Sequence, residues 1–167
     1  MTEVYIIGPS STGKTTLCRA LAATLGLEES TVISEVARDV MRGSGYTRED
    51  VGMLEMQAAI MGAQLLRERQ ARAAASQSRR ILLSDRSAID PIAYAVLSSA
   101  SKEEAEGRVQ YLSNSSQFQS ALLAYRQSVV VLLAPVPEWL MDDGVRNIEN
   151  QVSAAGKVML LANIDGS

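Results

Sequence analysis

Residues 8–15 read Gly-Pro-Ser-Ser-Thr-Gly-Lys-Thr and match the spacing G-x-x-x-x-G-K-[ST]. They follow a short apolar run at residues 4–7 and precede a helical pattern, with a leucine at every fourth position from Leu17 to Leu25. The glycines allow a tight turn, so that consecutive backbone N–H groups and the start of a helix face one point. This arrangement suits a polyphosphate chain. We therefore expect this phosphate loop and its next residue to bind a nucleotide through Gly8, Ser10, Ser11, Thr12, Gly13, Lys14, Thr15 and Thr16.

The rest of the chain alternates between short apolar runs and longer helical patterns. Further strands are expected at residues 31–34, 81–84, 128–134 and 157–162, and helices at 35–42, 48–75, 87–98, 111–127 and 138–153, with a polar segment at 101–107. Strand–helix alternation is typical of an α/β fold, and the run at 128–134, apolar on both faces, suits a buried parallel strand. We predict one three-layer α/β domain over residues 1–167, with a parallel sheet of about five strands and a small lid at about 137–150. The segment after the fifth strand looks short for such a domain.

Composition excludes several classes of function. The chain has 167 residues, a net charge of −3, a single cysteine (Cys18) and no histidine. Catalytic triads and zinc sites that use imidazole are therefore excluded, and a general base must be Asp, Glu, Lys or Tyr. The negative net charge argues against stable nucleic-acid binding. No uncharged apolar stretch reaches the ~18 residues of a membrane span. We expect a cytoplasmic protein, for which a homodimer is compatible with the sequence.

Bound nucleotide also needs a metal ion, which the sequence places beside a second strand. Lys14 would reach the β- and γ-phosphates, and Thr15 would help to hold Mg²⁺. The strand at residues 81–84 is followed by Asp85, which we predict as the second magnesium ligand. The alternative for Asp85 is the N-cap of the next helix. Arg86 follows at the same sheet edge, where it would grip a substrate or phosphate oxygen or form an ion pair with Glu35 or Asp90.

Three further residues are candidates for phosphoryl-transfer chemistry. Glu35 ends the second strand at that same edge, so it is the predicted base for an acceptor hydroxyl; alternatively it is an acid favoured by the start of a helix. Arg38 lies one helical turn further on and would hold Glu35 ionised or bind phosphate. Arg146 follows the flexible break at Gly144 and is a candidate mobile arginine, or else a plain surface charge.

Four segments together resemble a known family. The phosphate loop, residues 34–38, 85–94 and 142–146 occur in the order found in the P-loop kinase-type (AAA-like) domain of the NadR group. That group has bacterial and fungal members and includes ribosylnicotinamide kinases. Asp85-Arg86-Ser87 is also similar to the Glu-Arg-Ser of deoxynucleoside kinases. The resemblance implies a P-loop NTPase fold, with Glu35 and Asp90 facing the acceptor and Tyr94 stacking against it, although Tyr94 also suits core packing.

The sequence supports three functional hypotheses. The first is a small-molecule kinase that uses ATP and Mg²⁺ to phosphorylate a hydroxyl group of a nucleoside or ribosyl compound. The second is a nucleotide-dependent switch or NTPase acting on a protein or lipid partner. A lid with one arginine would suit the slow hydrolysis of such a protein. The third is a truncated ATP binder without turnover, suggested by the atypical C-terminal segment.

Overall fold

The computed structural model describes residues 1–34, 36–75 and 81–134. Four strands form its sheet: β1 (Thr2–Ile7), β2 (Val32–Ile33), β3 (Ile81–Asp85) and β4 (Val129–Leu132). The helices are α1 (Lys14–Leu25), α2 (Val36–Ser44), α3 (Leu54–Ala75), α4 (Ile89–Leu97), α5 (Lys102–Ser113) and α6 (Ser116–Arg126). Short 3₁₀ helices occupy Glu29–Thr31 and Arg48–Gly52.

The sheet is parallel, with strand order β2-β3-β1-β4. Side chains alternate between its two faces, as the period of a strand requires. Ile6 and Leu83 pack with Cys18 of α1 on one face. Tyr5 and Leu82 pack on the other face, in the larger core with α3, α4, α5 and α6. The predicted three-layer α/β fold is therefore confirmed, and four of about five expected strands fall in the described residues.

Local capping signals account for several helix boundaries. Gly26 ends α1 in the left-handed conformation, with its N–H bonded to the carbonyls of Ala22 and Ala23. Thr47 and Asp50 form a capping box. That box starts a 3₁₀ turn, so the helix predicted over residues 48–75 begins only at Leu54.

Two predictions for the region after residue 100 are wrong: the single helix over residues 111–127 and the burial of the strand at 128–134 on both faces. The polar segment at 101–107 forms the first half of α5, because the Ser101 hydroxyl caps the helix by accepting the N–H of Glu104 at 3.1 Å. The helix predicted over residues 111–127 is two helices, and Ser115 caps the second. Strand β4 is parallel to β1 as expected, but Val129 and Val130 are 51% and 46% exposed rather than buried on both faces. The predicted lid, fifth strand and last helix lie outside the described residues.

Candidate active site

The phosphate loop connects β1 to α1 in a conformation that needs its glycines. Gly8 has φ +136° and Gly13 has φ +83°, and Ser11 between them has φ +64°. Gly13 is the N-cap residue of α1 and has no side chain with which to cap the helix. The N–H groups of the first helical turn therefore point toward the space inside the loop, where they can donate to an anion.

Lys14 lies across the inside of the phosphate loop. Its side-chain Nζ donates to the carbonyl of Pro9 and to the Thr12 hydroxyl, the latter at 3.3 Å. Thr12 in turn donates to the Pro9 carbonyl at 2.9 Å. Lys14 is only 5% exposed, so its charge is held at the loop rather than extended into solvent. The role predicted for Lys14, which is to neutralise phosphate oxygens, stays a prediction.

Thr15 and Asp85 form the pair that the sequence predicted for a magnesium ion. Strands β1 and β3 are neighbours with Ile6 opposite Asp85, so the carboxylate lies beside the start of α1. The Thr15 hydroxyl donates to Asp85 Oδ2 at 2.5 Å. The other carboxylate oxygen, Oδ1, is buried and has no hydrogen-bond partner among the described residues. Asp85 does not cap a helix, because α4 begins later, after the N-cap residue Ala88.

The residues present fit a magnesium ion that is shared with phosphates. A hydroxyl and a carboxylate are the hard oxygen ligands that Mg²⁺ prefers, and the unpaired Oδ1 of Asp85 is an acceptor in need of a positive partner. No group of three or more acidic, cysteine or histidine residues able to hold a metal occurs in the described ranges. A protein-only cage is therefore not found there, whereas Mg²⁺ bound to nucleotide needs only one or two protein ligands.

Arg86 joins α4 to the phosphate loop. Its guanidinium donates to Asp90 Oδ1 at 3.1 Å and to the Ser10 hydroxyl at 3.4 Å. It also lies 5.7 Å from the ring centroid of Tyr94, whose hydroxyl is 3.4 Å from that of Ser10. Although burial lowers the pKa of Arg86, the neighbouring Tyr94, Asp90 and Asp85 outweigh that effect and keep the group charged. The ion pair with Asp90, one of the alternatives left open by the sequence, is therefore present, and the arginine remains at the sheet edge.

These residues line one cleft of about 1000 Å³. The phosphate loop forms one end, and α2, α3 and α4 form the walls. Arg38 is exposed and lines this cleft, as do Asp90 and Tyr94. Apolar side chains supply much of the remaining surface: Val36, Met41, Val51, Met56, Ile60 and Leu97. A cleft with a cationic end and apolar walls can hold a phosphate chain beside a flat organic group.

Two predicted site residues, Glu35 and Arg146, lie outside the described residues. Sequence reasoning missed Gln57 and Gln64, which are both 2% exposed and line the cleft from α3. Their spacing of seven residues places them on one face of the helix. Polar residues on an otherwise inward face of α3 were the signal that could have identified them.

Comparisons with known proteins agree with this geometry. A family model described as an AAA domain matches residues 3–162. The structure of deoxyadenosine kinase from M. mycoides with bound dATP aligns with a TM-score of 0.65 at 15% sequence identity, covering 98% of this chain and 85% of that one. No curated protein sequence matches the chain. None of the described helices is long and apolar enough to cross a membrane. Because the family model matches most of its length, the chain belongs to the AAA domain family, and the structural match shows that it has the fold of a P-loop kinase.

Proposed function

We propose that the chain binds ATP with Mg²⁺ and transfers the γ-phosphoryl group to a hydroxyl group of a small molecule, a nucleoside or ribosyl compound. The observation that carries this proposal is a single cleft that begins at the phosphate loop with Lys14 and Asp85 and continues between apolar walls. The cleft extends beyond the phosphate loop along α2, α3 and α4, so it has room for an organic group next to the phosphates. The wall residues supply the space and apolar contact that an organic acceptor requires.

The described residues have distinct parts in this reaction. Lys14 and the N–H groups at the start of α1 hold the phosphate chain, and Arg86 neutralises charge on the phosphoryl group during transfer. Thr15 and Asp85 would hold Mg²⁺, which when bound would supply further neutralisation of the phosphate charge. Asp90 holds Arg86 in place at 3.1 Å. Arg38 and Tyr94 line the cleft, which supports their proposed contact with the acceptor.

The proposed base is Glu35. Its neighbour Val36 lines the cleft, which supports the proposal that the acceptor binds near this point of the chain. Glu35 would take the proton of the acceptor hydroxyl while the hydroxyl oxygen attacks the γ-phosphorus. ADP would leave with the bridging oxygen. Glu35→Gln is then expected to retain ATP binding and to lower phosphate transfer by about 10²-fold or more. Transfer at the wild-type rate would refute this assignment.

We further propose that the chain forms one domain and that Arg146 lies on a lid at about residues 137–150.

ADP release from ATP and Mg²⁺ tests the proposed function. The acceptors are a panel of nucleosides, nicotinamide riboside and small sugars. Lys14→Ala gives the background, and Lys102→Ala is the matched control, because Lys102 is an exposed lysine on α5 whose ion pair with Glu106 is a surface contact. Release that one acceptor stimulates, and that only Lys14→Ala abolishes, is the expected result. Release that is independent of acceptor but requires Lys14 would instead support a switch or NTPase, and no release would refute turnover.

A further inference from the structure

A cluster of buried polar side chains lies behind the cleft, on the opposite side of the Asp85–Arg86 segment from the phosphate loop. Its centre is Glu68 of α3, which is 0% exposed. Gln64 and Arg72 lie one turn before and one turn after it, so the three side chains share one face of the helix. Tyr5 of β1 and Tyr125 of α6 complete the Glu68 cluster from two other elements.

Glu68 accepts hydrogen bonds from four neighbours. The Tyr125 hydroxyl lies 2.9 Å from Oε1 and 2.8 Å from Oε2, and the Gln64 amide donates to Oε1 at 3.1 Å. Arg72 donates to Oε2 at 3.2 Å, and the Tyr5 hydroxyl is 3.4 Å from the same oxygen. A buried carboxylate is costly unless it is paired and hydrogen-bonded. Glu68 has both kinds of partner, so its side chain is held in one position.

The Glu68 cluster reaches the turn that follows β3 at two points. At the first, the Ser84 hydroxyl donates to the carbonyl of Arg86 at 2.7 Å, and Gln64 Nε2 lies 3.0 Å from that hydroxyl and 3.4 Å from the same carbonyl. At the second, the Tyr125 hydroxyl accepts the backbone N–H of Ala88 at 3.2 Å. Both ends of the Arg86–Ala88 turn are thus bonded to side chains that Glu68 orders.

This turn needs such support because its backbone is strained. Arg86 has φ +79°, in the left-handed region that a residue with a Cβ seldom adopts. Such a conformation is unfavourable for a residue with a Cβ and persists only where the surroundings determine it. The N–H of Arg86 bonds to the Ile6 carbonyl at 2.9 Å, which fixes one side of the residue. The other side is fixed by Ser84 and Gln64.

We infer that the Glu68 cluster, together with Ser84, positions the residues of the site. Tyr125, Gln64 and Ser84 hold the strained turn and so fix Asp85 and Arg86 at the phosphate-loop end of the cleft. None of these three acts on substrate in this role; they act through the turn. The catalytic consequence rests on the proposed function, whereas the structural part, that the cluster holds the turn, does not.

Two tyrosines provide a matched test. Tyr125→Phe and Tyr5→Phe each remove one buried hydroxyl of the cluster and keep the ring, so that the edge-to-face contact between the two rings at 5.1 Å is retained. The Tyr5 hydroxyl donates to Glu3 Oε2 at 2.8 Å and is 3.4 Å from Glu68, so its loss changes the cluster without touching the turn. Only the Tyr125 hydroxyl also bonds the turn. A merely structural role predicts similar effects for both variants. A positioning role predicts that Tyr125→Phe alone disturbs residues 85–89.

The experiment compares wild type, Tyr125→Phe, Tyr5→Phe and Ser84→Ala by amide hydrogen exchange and by steady-state phosphate transfer. We expect faster exchange in the peptide covering residues 85–89 for Tyr125→Phe and Ser84→Ala, but not for Tyr5→Phe. We also expect kcat to fall about tenfold or more in those two variants with little change in KM for ATP, because small misplacements of catalytic groups are costly.

Two results would overturn the inference. One is wild-type exchange and kcat in both Tyr125→Phe and Ser84→Ala. The other is an equal loss of kcat in Tyr5→Phe, which would mean that the cluster affects only general stability. If the wild type phosphorylates no acceptor, the proposed function fails, and the exchange comparison still decides whether the cluster holds the turn.

Discussion

Gly8→Ala tests the close approach between the phosphate loop and strand β4. A Cβ at Gly8 would lie 2.4 Å from the carbonyl oxygen of Leu133 and 3.3 Å from its carbonyl carbon and its nitrogen. The N–H of Leu133 also bonds to the Ile7 carbonyl at 2.9 Å. An added methyl group therefore meets backbone that belongs to the sheet and cannot rotate away.

The expected loss of stability has two parts. The backbone at Gly8 has φ +136°, where a residue with a Cβ is strained by about 1–3 kcal/mol. Moving Leu133 away weakens its hydrogen bond to Ile7, which contributes about 1 kcal/mol. The sum is about 2–4 kcal/mol, which corresponds to a fall in Tm of about 4–16 °C for a domain of this size.

Two other glycines serve as controls in thermal unfolding followed by circular dichroism. Gly13 has φ +83° but open space around it, so Gly13→Ala keeps the strain without the clash and is expected to lose less. Gly62 lies within α3, with nothing within 4 Å of an added Cβ, and Gly62→Ala is expected to leave Tm unchanged or slightly raised. A Gly8→Ala variant no less stable than Gly13→Ala would refute the argument from Leu133.

Three more predictions concern two residues at the phosphate end of the cleft and the buried cysteine of α1. Asp85→Asn keeps the side-chain shape but removes the charge, so we expect the shift in Tm caused by ATP to become independent of Mg²⁺; a retained magnesium effect would contradict the assignment. Arg86→Lys cannot bridge Asp90 and Ser10 at once, and kcat is expected to fall by about 10²-fold, whereas an unchanged kcat would remove Arg86 from the mechanism. Burial and the charge of Asp85 raise the pKa of the Cys18 thiol to about 12 from 9.0. Iodoacetamide at pH 8 should therefore label Cys18 about 10³ times more slowly in the folded protein than in the unfolded chain, as measured by mass spectrometry, and rapid labelling of the folded protein would contradict its burial.

Local signals in the sequence were sufficient for the central sheet and for the phosphate end of the site. The glycines of the phosphate loop, the apolar run before it and the cap at Gly26 each depend on a few neighbouring residues. The position of Asp85 at the sheet edge could be read from the sequence, because the ends of neighbouring parallel strands meet at one edge. Such features are specified by backbone conformation, which short stretches of sequence determine.

The pattern of apolar residues alone was a poorer guide. The polar start of α5 has no pronounced apolar stripe, and it is helical because Ser101 caps it and Glu104 pairs with Arg108 at 2.6 Å. Val129 and Val130 suggested burial by their composition, but burial depends on what covers the strand. Neither outcome can be obtained from the period of apolar residues alone.

The Glu68 cluster could not be predicted from sequence, for a physical reason. A glutamate in a charged helix such as α3 is ordinarily solvent-exposed, and the partners that allow its burial come from β1 and α6, 63 and 57 residues away. Only the fold brings Tyr5, Glu68 and Tyr125 together.

Stability alone does not explain why such a cluster lies at the centre of this domain. Buried ion pairs are often replaceable by apolar residues of similar volume with no loss of stability, because desolvation offsets their attraction. Apolar residues, however, cannot donate to the Arg86 carbonyl or accept the Ala88 N–H, both of which the Glu68 cluster orders at the edge of the cleft. Directional bonds are what a strained turn requires, since packing alone leaves its peptide groups free to rotate. The directional hydrogen bonds of the Glu68 cluster therefore fit a role in positioning Asp85 and Arg86 better than a role in stabilising the core.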